Sequence, residues 1–340
     1  MLISCDEPLA SAFDLALVDL DGVAYRGPAP IEYASESLVA GRRAGLGLVF
    51  VTNNASREPE SVAQQLTDLG IATGADEVMT AAQAAAAVLS SRLAQGATVL
   101  VVGGAGLVTA VRAAGFDVVT SADDKPEAVV QGFAPEVGWR ELAQAAYAVQ
   151  RGAWYVVSNR DLTLPNEHGL APGNGALVGA VIAATGVEPV SAGKPEPTMF
   201  ELAARRRGAA RPLVIGDRLD TDLAGARAAG YPGLHVFTGV SSARDAVLAA
   251  PHERPSFLGA DLRSLLTPHA VPVRSGDGWW VCGESSARVD DGRLDLRGRD
   301  DAAATTTDLV RAACAAAWSA VDDGVHLDED SVPQLVVQGP

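Results

Sequence analysis

Cysteine is scarce in this sequence, and its three copies lie far apart. Cys5, Cys282 and Cys314 are odd in number and show neither the spacing of a disulfide framework nor that of a zinc site. The amino terminus lacks the basic start and the apolar core of a signal peptide. We therefore expect a soluble protein of the reducing cytoplasm.

Positive charge and long apolar runs are scarce as well. The 26 Lys and Arg residues are outnumbered by 42 Asp and Glu residues, for a net charge of -16. Nucleic acids and anionic membranes are bound by basic surfaces, and a membrane helix needs about 18 apolar residues in a row. The composition thus excludes these partners but allows a small phosphorylated metabolite. It leaves homo-oligomer formation open.

The first informative stretch is a short apolar run that ends at two acids. Residues 15–18 are Leu-Ala-Leu-Val, and Asp19 and Asp21 follow before Gly22. Such a run is typical of a strand buried in a parallel sheet, where ligands bind at the carboxyl ends. One carboxylate could attack phosphorus and the other could transfer protons, with Mg²⁺ as the cation. The alternative is a simple turn after a strand.

A second apolar run, residues 46–51, ends in Thr52-Asn53-Asn54. Hydroxyl and amide side chains at such a turn can bind phosphate, although a polar loop with a helix cap at Ser56 would look the same. Further on, Lys194 lies between Gly193 and Pro195, where a held lysine could neutralise a transferring phosphoryl group. An ordinary surface lysine is the alternative there.

A third apolar run, residues 212–215, leads into three acids. Asp217, Asp220 and Asp222 fall within six positions. Their repulsion is costly unless a cation offsets it, and a helix cap explains only one of them. The sequence therefore predicts a metal site at this strand end.

The interval between residues 54 and 194 is too long for one crossover and predicts an inserted α/β domain. It contains Gly104-Ala105-Gly106 after a strand, which suggests a dinucleotide site, but Thr109 occupies the place of the third glycine or alanine. A plain strand-turn-helix unit is favoured. The loop over residues 158–175 is long for a mere connection, and His168 within it is left unassigned.

Together these motifs resemble the haloacid dehalogenase (HAD) superfamily of phosphatases, in its NagD-like, p-nitrophenylphosphatase-like branch. The resemblance covers residues 13–267, and the nearest group is the actinobacterial glycerol-3-phosphate phosphatases. It implies an α/β fold: a Rossmann-like parallel-sheet core of residues 1–81 and 191–267, with an α/β cap domain of residues 82–190. It also implies a hydrolase with Mg²⁺ as cofactor and an aspartyl-phosphate intermediate.

The resemblance also implies a role for each motif residue. Asp19 would be the nucleophile and a metal ligand, and Asp21 would be the acid/base and bind metal through its carbonyl. Asp217 would be the other side-chain ligand. Asp222 would lie next to the metal ligands without binding the ion itself. The phosphate would be bound by Thr52, Asn53, Asn54 and Lys194.

Asp21 favours a phosphatase, because an alkoxide leaving group needs a proton whereas halide does not. A phosphomutase would keep this acid too. The cap favours a small phosphomonoester, and the residues around Leu164 would set its identity. We expect glycerol 3-phosphate; phosphoglycolate, a nucleotide or pyridoxal 5'-phosphate are the alternatives within the family.

Residues 268–340 extend past the end of the family pattern. They predict a small α/β module that resembles part of a GNAT-type acetyltransferase, without a pyrophosphate-binding glycine loop. We expect a packing or dimerising role rather than acetyl transfer. A regulatory binding protein that acts through this module is the alternative from a different functional class.

Overall fold

A computed structural model describes residues 1–166, 168–298 and 306–337. The helices, α1 to α11 in chain order, are Leu9–Ala12, Ala34–Arg43, Pro59–Asp68, Ala81–Ser90, Ala105–Ala113, Trp139–Gln150, Asn174–Thr185, Thr198–Arg207, Ala224–Ala228, Ala243–Val247 and Thr307–Asp322. The strands, β1 to β19, are Leu15–Val18, Tyr25–Arg26, Ala29–Pro30, Gly47–Thr52, Val78–Thr80, Thr98–Val102, Asp117–Val119, Ala128–Gln131, Trp154–Val157, Thr163–Asn166, Gly169–Pro172, Val190–Ser191, Pro212–Gly216, Gly233–Val236, Phe257–Gly259, Val273–Arg274, Trp280–Cys282, Ser285–Asp290 and Arg293–Arg297. Short 3₁₀ helices cover Ala75–Glu77, Ala122–Asp124, Leu262–Leu266 and Glu329–Ser331, and a π-helical turn covers Leu219–Leu223.

The chain divides into two compact units. The first unit combines Met1–Val49 with Ala204–Pro340, and the second is Phe50–Ala203. This division runs through β4 and groups α3 and β5 with the second unit, whereas the sequence places them in the core. The domain boundaries at residues 81 and 190 stay predictions.

The first unit contains parallel strands in the order β15-β14-β13-β1. Strand β1 pairs with β13 from Leu15 with Pro212 to Val18 with Ile215. All residues of both strands are buried, as the continuous apolar runs predict for a sheet covered on both faces. The carboxyl ends of β1 and β13 therefore lie side by side, and the predicted acids follow directly from them.

The carboxyl-terminal part of the first unit is a four-stranded antiparallel sheet, β16-β17-β18-β19, with helix α11. Helix α11 begins at an N-cap, Thr306, whose side chain accepts a hydrogen bond from the Leu309 amide. Its alanine-rich face packs in one hydrophobic cluster with α10, the π-helical turn and the inner face of the small sheet.

The second unit is built on a parallel sheet in the order β12-β9-β8-β6-β7. Helices α6 and α7 cover one hydrophobic cluster of this sheet. Strands β10 and β11 form a separate antiparallel hairpin, and the second half of β4 pairs in parallel with β5. The predicted α/β fold with a parallel-sheet core is confirmed.

One local expectation differs from the structure. The long loop predicted over residues 158–175 contains the β10–β11 hairpin. Beyond α11, Leu335 is buried in the same hydrophobic cluster as that helix. Among the helices in the described part of the chain, none combines the length and apolar character that a membrane span requires.

Asp14 is expected to stabilise the start of the first sheet. Its carboxylate accepts hydrogen bonds from the amides of Ala210 and Arg211, both at 2.9 Å, which anchor the chain that leads into β13. We expect Asp14→Ala to lower the free energy of unfolding by about 1–2 kcal/mol, since two amides lose a charged acceptor at a partly exposed site. Asp14→Asn, which keeps one acceptor oxygen, should lose less. Urea denaturation measures both, with the exposed Asp6→Ala as control. Equal losses for Asp14→Ala and Asp6→Ala would contradict the assignment.

Candidate active site

Asp19 and Asp21 occupy the turn that follows β1. The Asp19 amide still donates to Ile215 O of β13 at 2.8 Å, so its position is fixed by the sheet. The carbonyl of Leu20 then accepts hydrogen bonds from the amides of Val23, Ala24 and Tyr25, which turns the chain tightly. Asp19 is half-buried and Asp21 is exposed, so both carboxylates can reach a ligand from the strand end.

Asp217 is fully buried and is held by the loop that follows β14. Its Oδ2 accepts from the Val240 amide at 2.7 Å, and its carbonyl accepts from the Ser241 amide at 3.0 Å. The backbone comes so close that a Cβ at Gly22 or Gly239 would overlap the Asp217 carboxylate. Gly22 also has φ +88°, which only glycine adopts readily. Both glycines are therefore required by the position of Asp217.

The side chains of Asp19, Asp217 and Asp222 converge. One oxygen from each lies within 4.8 Å of the other two. Three carboxylates at this distance repel one another strongly unless a cation lies among them. An all-oxygen donor set is what Mg²⁺ prefers, and the glycine cradle around Asp217 leaves no side chain in the way, so the residues fit this ion.

Asp222 is buried and close enough to Asp19 and Asp217 for a direct or a supporting role. Its Oδ2 accepts from the Arg218 amide at 3.2 Å, which orients the carboxylate. A Cβ at Gly216 would overlap the Asp222 side chain, so this approach also depends on a glycine. Asp220 differs: it is exposed and ion-paired with Arg218 at 2.7 Å, and it is not in the cluster.

The other predicted site residues lie in the second unit, where Asn53 connects them. Its Oδ1 accepts from the Lys194 amide at 2.9 Å, and its Nδ2 donates to Lys194 O at 3.2 Å. Lys194 is buried, and its Nζ donates to Val51 O at 3.3 Å, which holds the ammonium group beside the end of β4. The structure thus brings Asn53 and Lys194 together, although 141 positions separate them in sequence.

Thr52 and Asn54 shape the turn that follows β4. Thr52 Oγ1 accepts from the Asn54 amide at 3.1 Å, and Asn54 Oδ1 accepts from the Ser56 amide at 2.8 Å. These are local bonds between side chains and the main chain of the loop. Helix α3 begins only at Pro59, with Glu58 as its N-cap and no side-chain capping bond, so the helix cap at Ser56 that the structural alternative required does not form. The two loop bonds use one oxygen of each side chain and leave the Thr52 hydroxyl proton and the Asn54 amide group able to donate elsewhere.

Three polar residues around Asn53 were not predicted from sequence. Asp161 accepts from Asn53 Nδ2 at 3.1 Å, Asn159 Nδ2 donates to Asn53 O at 2.8 Å, and Asn174 Nδ2 donates to Asn159 O at 2.7 Å. Asn159 and Asn174 are buried. Their only sequence signal is the density of Asn, Gly and Pro in the long loop after β9. They tie the base of the β10–β11 hairpin to the Asn53 turn.

The Gly104-Ala105-Gly106 turn has a packing explanation. The Gly106 amide donates to Ser56 O at 3.1 Å, and a Cβ on Gly106 would overlap the backbone of Arg57. Thr109 Oγ1 donates to Glu58 Oε1 at 2.8 Å. The glycines therefore let α5 approach the segment after Asn54, which agrees with the strand-turn-helix interpretation rather than with a dinucleotide site.

Leu164 lies in β10, where it pairs with Ala171 of β11, and it is 37% exposed. Leu162 and Leu170 on the same hairpin are 71% and 76% exposed. The hairpin thus presents apolar side chains to its surroundings. A direct role for Leu164 in specificity stays a prediction.

Comparison with known families gives three matches along the chain. Residues 16–117 match the model of the haloacid dehalogenase-like hydrolases, and residues 191–265 match a HAD-hydrolase-like model. Residues 282–332 match the GCN5-related N-acetyltransferase-like domain. The third match agrees with the predicted GNAT-like character of the carboxyl-terminal module.

Individual proteins are similar over most of the chain. The D-glycerol 3-phosphate phosphatase of Mycobacterium tuberculosis is 44% identical over 322 residues, which cover 94% of this chain and 89% of that protein. A crystal structure of the glycerol phosphate phosphatase from the same organism, in complex with magnesium, has a TM-score of 0.83 and 42% identity and covers 92% of each chain. A thermostable NPPase from Geobacillus stearothermophilus has a TM-score of 0.67 and 34% identity, over 74% of this chain and 96% of its own.

The carboxylate cluster predicts that a divalent cation stabilises the fold. An ion that binds only the folded state at about 100 times its Kd adds about 2.7 kcal/mol to the free energy of unfolding. We expect Mg²⁺ to raise the melting temperature of the wild type. Asp19→Asn should lose most of this response and, without divalent ions, be at least as stable as wild type, because one repelling charge is gone.

The matched control is Asp220→Asn, the same change on a neighbouring acid outside the cluster. It should keep the full response to Mg²⁺ in differential scanning calorimetry. A wild-type response in Asp19→Asn, or a lost response in Asp220→Asn, would argue against the metal site.

Proposed function

The chain belongs to the haloacid dehalogenase-like hydrolases, and from this membership we propose that it is a magnesium-dependent phosphatase that hydrolyses glycerol 3-phosphate to glycerol and phosphate. The convergence of Asp19, Asp217 and Asp222 at the ends of two adjacent parallel strands carries the proposal. The choice of substrate is supported by the M. tuberculosis relative, which is similar over nearly the whole chain.

In the proposed reaction, a carboxylate oxygen of Asp19 attacks phosphorus and forms an aspartyl-phosphate, and the bond from phosphorus to the glycerol oxygen breaks. Asp21 gives its proton to that oxygen, so glycerol leaves as a neutral alcohol. Asp21 then removes a proton from water, whose oxygen attacks phosphorus, and Asp19 is released with inorganic phosphate. The exposed position of Asp21, two residues after a nucleophile fixed by the sheet, supports this division of roles.

Mg²⁺ would be held by the carboxylates of Asp19 and Asp217 and by the carbonyl of Asp21, with Asp222 orienting this group. When bound, the ion supplies positive charge that offsets the repulsion between a carboxylate and a phosphate. The fit of the oxygen donors to Mg²⁺ and the buried, hydrogen-bonded position of Asp217 support this assignment.

We assign the phosphoryl oxygens to Thr52, Asn53, Asn54 and Lys194. Lys194 is the only cation among the predicted site residues, and its Nζ is kept beside the end of β4. Asn53 fixes the backbone of Lys194 through two hydrogen bonds, so the lysine and the Thr52–Asn54 turn act as one group. A buried ammonium group held in this way is suited to a dianionic phosphate.

On the leaving-group side, the hairpin that carries Leu164 would set the size of the alcohol. A small alcohol such as glycerol needs little contact there. Phosphoglycolate, nucleotides and pyridoxal 5'-phosphate stay the alternatives that a substrate panel separates. The acidic charge of the chain supports function without nucleic acid or membrane partners, and three unpaired cysteines support a cytoplasmic location. Homo-oligomer formation stays an untested expectation.

A panel of phosphate esters tests the substrate. With Mg²⁺ present, kcat/KM should be highest for glycerol 3-phosphate and at least about tenfold lower for phosphoglycolate, pyridoxal 5'-phosphate and nucleoside monophosphates, a difference of about 1.4 kcal/mol in transition-state binding. Release of inorganic phosphate measures all of them in one assay. If glycerol 3-phosphate ranks among the poor substrates, the assignment is wrong even if another ester is hydrolysed well.

Two isosteric changes test the catalytic roles. Asp19→Asn should lower kcat by roughly 10⁴-fold or more for every ester, because the nucleophile is lost. Asp21→Asn should lower glycerol 3-phosphate turnover about 10²- to 10⁴-fold, because the alkoxide no longer receives a proton.

With 4-nitrophenyl phosphate, whose leaving group needs no proton, Asp21→Asn should still form the aspartyl-phosphate. Rapid mixing should then show a burst of one nitrophenolate per site, followed by slow turnover. Asp220→Asn, on an exposed acid outside the cluster, is the control for both changes. Full glycerol 3-phosphate activity in Asp21→Asn would remove Asp21 from the acid/base role.

A further inference from the structure

The loop that holds Asp217, residues 238–242, is itself anchored on both sides. The Leu219 amide donates to Ser241 Oγ at 3.1 Å, and Thr238 Oγ1 donates to Gly22 O at 2.6 Å. His235 Nε2 lies 3.2 Å from Ser241 O and must carry the proton, because a carbonyl oxygen only accepts. Burial lowers the pKa of His235 to about 4, so this neutral donor is present at physiological pH.

This loop continues without a break into helix α10. Ser242 is the N-cap: its Oγ accepts from the Asp245 amide at 3.2 Å, while the Asp245 carboxylate accepts from the Ser242 amide at 2.7 Å. Such a capping box fixes the direction in which the chain enters a helix. Residues 238–242 and α10 therefore move together, and the Val240 and Ser241 amides on Asp217 follow the position of α10.

Helix α10 is in turn held by the carboxyl-terminal module. Trp318 of α11 is 1% exposed, and its Nε1 donates to Ala246 O at 3.1 Å, at the end of α10. Ala243, Ala246 and Val247 share one hydrophobic cluster with Trp318 and its neighbours on α11. Leu219 and Leu223, from the turn that carries Asp222, belong to the same cluster.

A polar contact adds to this packing. Arg244 of α10 donates through Nε to Val332 O at 3.0 Å and through Nη2 to Glu329 O at 2.7 Å. These acceptors lie in the segment that follows α11. Helix α10 is thus held by the buried Trp318 of α11 and, through its own Arg244, by two carbonyl groups of the segment that follows α11.

We propose that the carboxyl-terminal module is a positioning element of the metal site: α11 and the segment after it fix α10, and α10 fixes the loop that holds the Asp217 carboxylate. Trp318 and Arg244 are positioning residues, since neither belongs to the group of carboxylates formed by Asp19, Asp217 and Asp222. This role rests on the proposed function for its catalytic consequence, but the ion affinity and the order of the loop can be measured without substrate.

Two measurements on the full-length chain test the proposal. The first is Mn²⁺ affinity, from the electron paramagnetic resonance signal of free Mn²⁺. The second is hydrogen exchange in a peptide that covers residues 233–247. We expect Trp318→Ala and Arg244→Ala to raise the Kd for Mn²⁺ roughly three- to tenfold. This effect is smaller than the roughly 10- to 100-fold loss of affinity that is typical when a direct hydrogen-bond partner of a metal ligand is removed. The Val240 and Ser241 amides should exchange roughly tenfold faster in both variants.

The matched control is Trp279→Ala. Trp279 is a buried tryptophan of the same module, with Arg297 over its ring at 3.7 Å. Trp279 does not belong to the hydrophobic cluster that α10 shares with Trp318. This variant should lose thermal stability while it keeps wild-type Mn²⁺ affinity and exchange. Trp318→Phe, which keeps most of the packing, should fall between wild type and Trp318→Ala.

The proposal is overturned if Arg244→Ala and Trp318→Phe bind Mn²⁺ like wild type, or if Trp279→Ala weakens binding as much as they do. Should Trp318→Ala not fold, these milder variants decide the outcome. If the wild type binds Mn²⁺ and the variants change this affinity as expected, but the wild type hydrolyses no phosphate ester, the proposed function is refuted and this inference stands.

Discussion

The first unit has to hold the mutually repelling carboxylates of Asp19, Asp217 and Asp222 close together, and this constraint shapes the rest of it. Their oxygens lie within 4.8 Å of one another at the ends of neighbouring parallel strands. Like charges at this distance repel one another, so the three carboxylates need restraints from the rest of the fold. The β1–β13 register supplies the restraint, because it fixes the backbone of Asp19 on Ile215 and places residue 217 one step beyond the same sheet edge.

Sheet register alone does not orient a carboxylate, and here main-chain groups do so. The Val240 amide donates to the Asp217 carboxylate and the Ser241 amide to the Asp217 main-chain carbonyl, while the Arg218 amide donates to the Asp222 carboxylate. Backbone amides keep their direction when a ligand arrives, so the site needs little reorganisation to accept charge. This closeness of backbone to carboxylate requires glycine at positions 22 and 239, so these two glycines belong to the site as much as the acids do.

Much of this was predictable from the sequence, for a physical reason. Strands β1, β4 and β13 are buried on both faces, which produces continuous apolar runs, and each run ends at a site residue. The β10–β11 hairpin was missed because Leu162 and Leu170 are exposed, so apolar residues there do not mark a core. Asp161, Asn159 and the loop after β14 were missed because their roles depend on contacts between distant segments, which no local pattern encodes. Gly104 and Gly106 were ambiguous because close packing and phosphate binding both require glycine.

The carboxyl-terminal module follows from the same constraint. A loop that orients a buried carboxylate must resist both solvent and the repulsion of its neighbours, and α10, with five residues, is too short to be stable alone. Some larger element has to cover its apolar face. In this chain α11 does so with alanines at the contact, which lets the helices approach closely, and with Trp318, which fills the remaining space and satisfies the Ala246 carbonyl. The GNAT-like segment thus completes the hydrophobic core behind the acids, and this use of the fold requires no acetyl transfer chemistry.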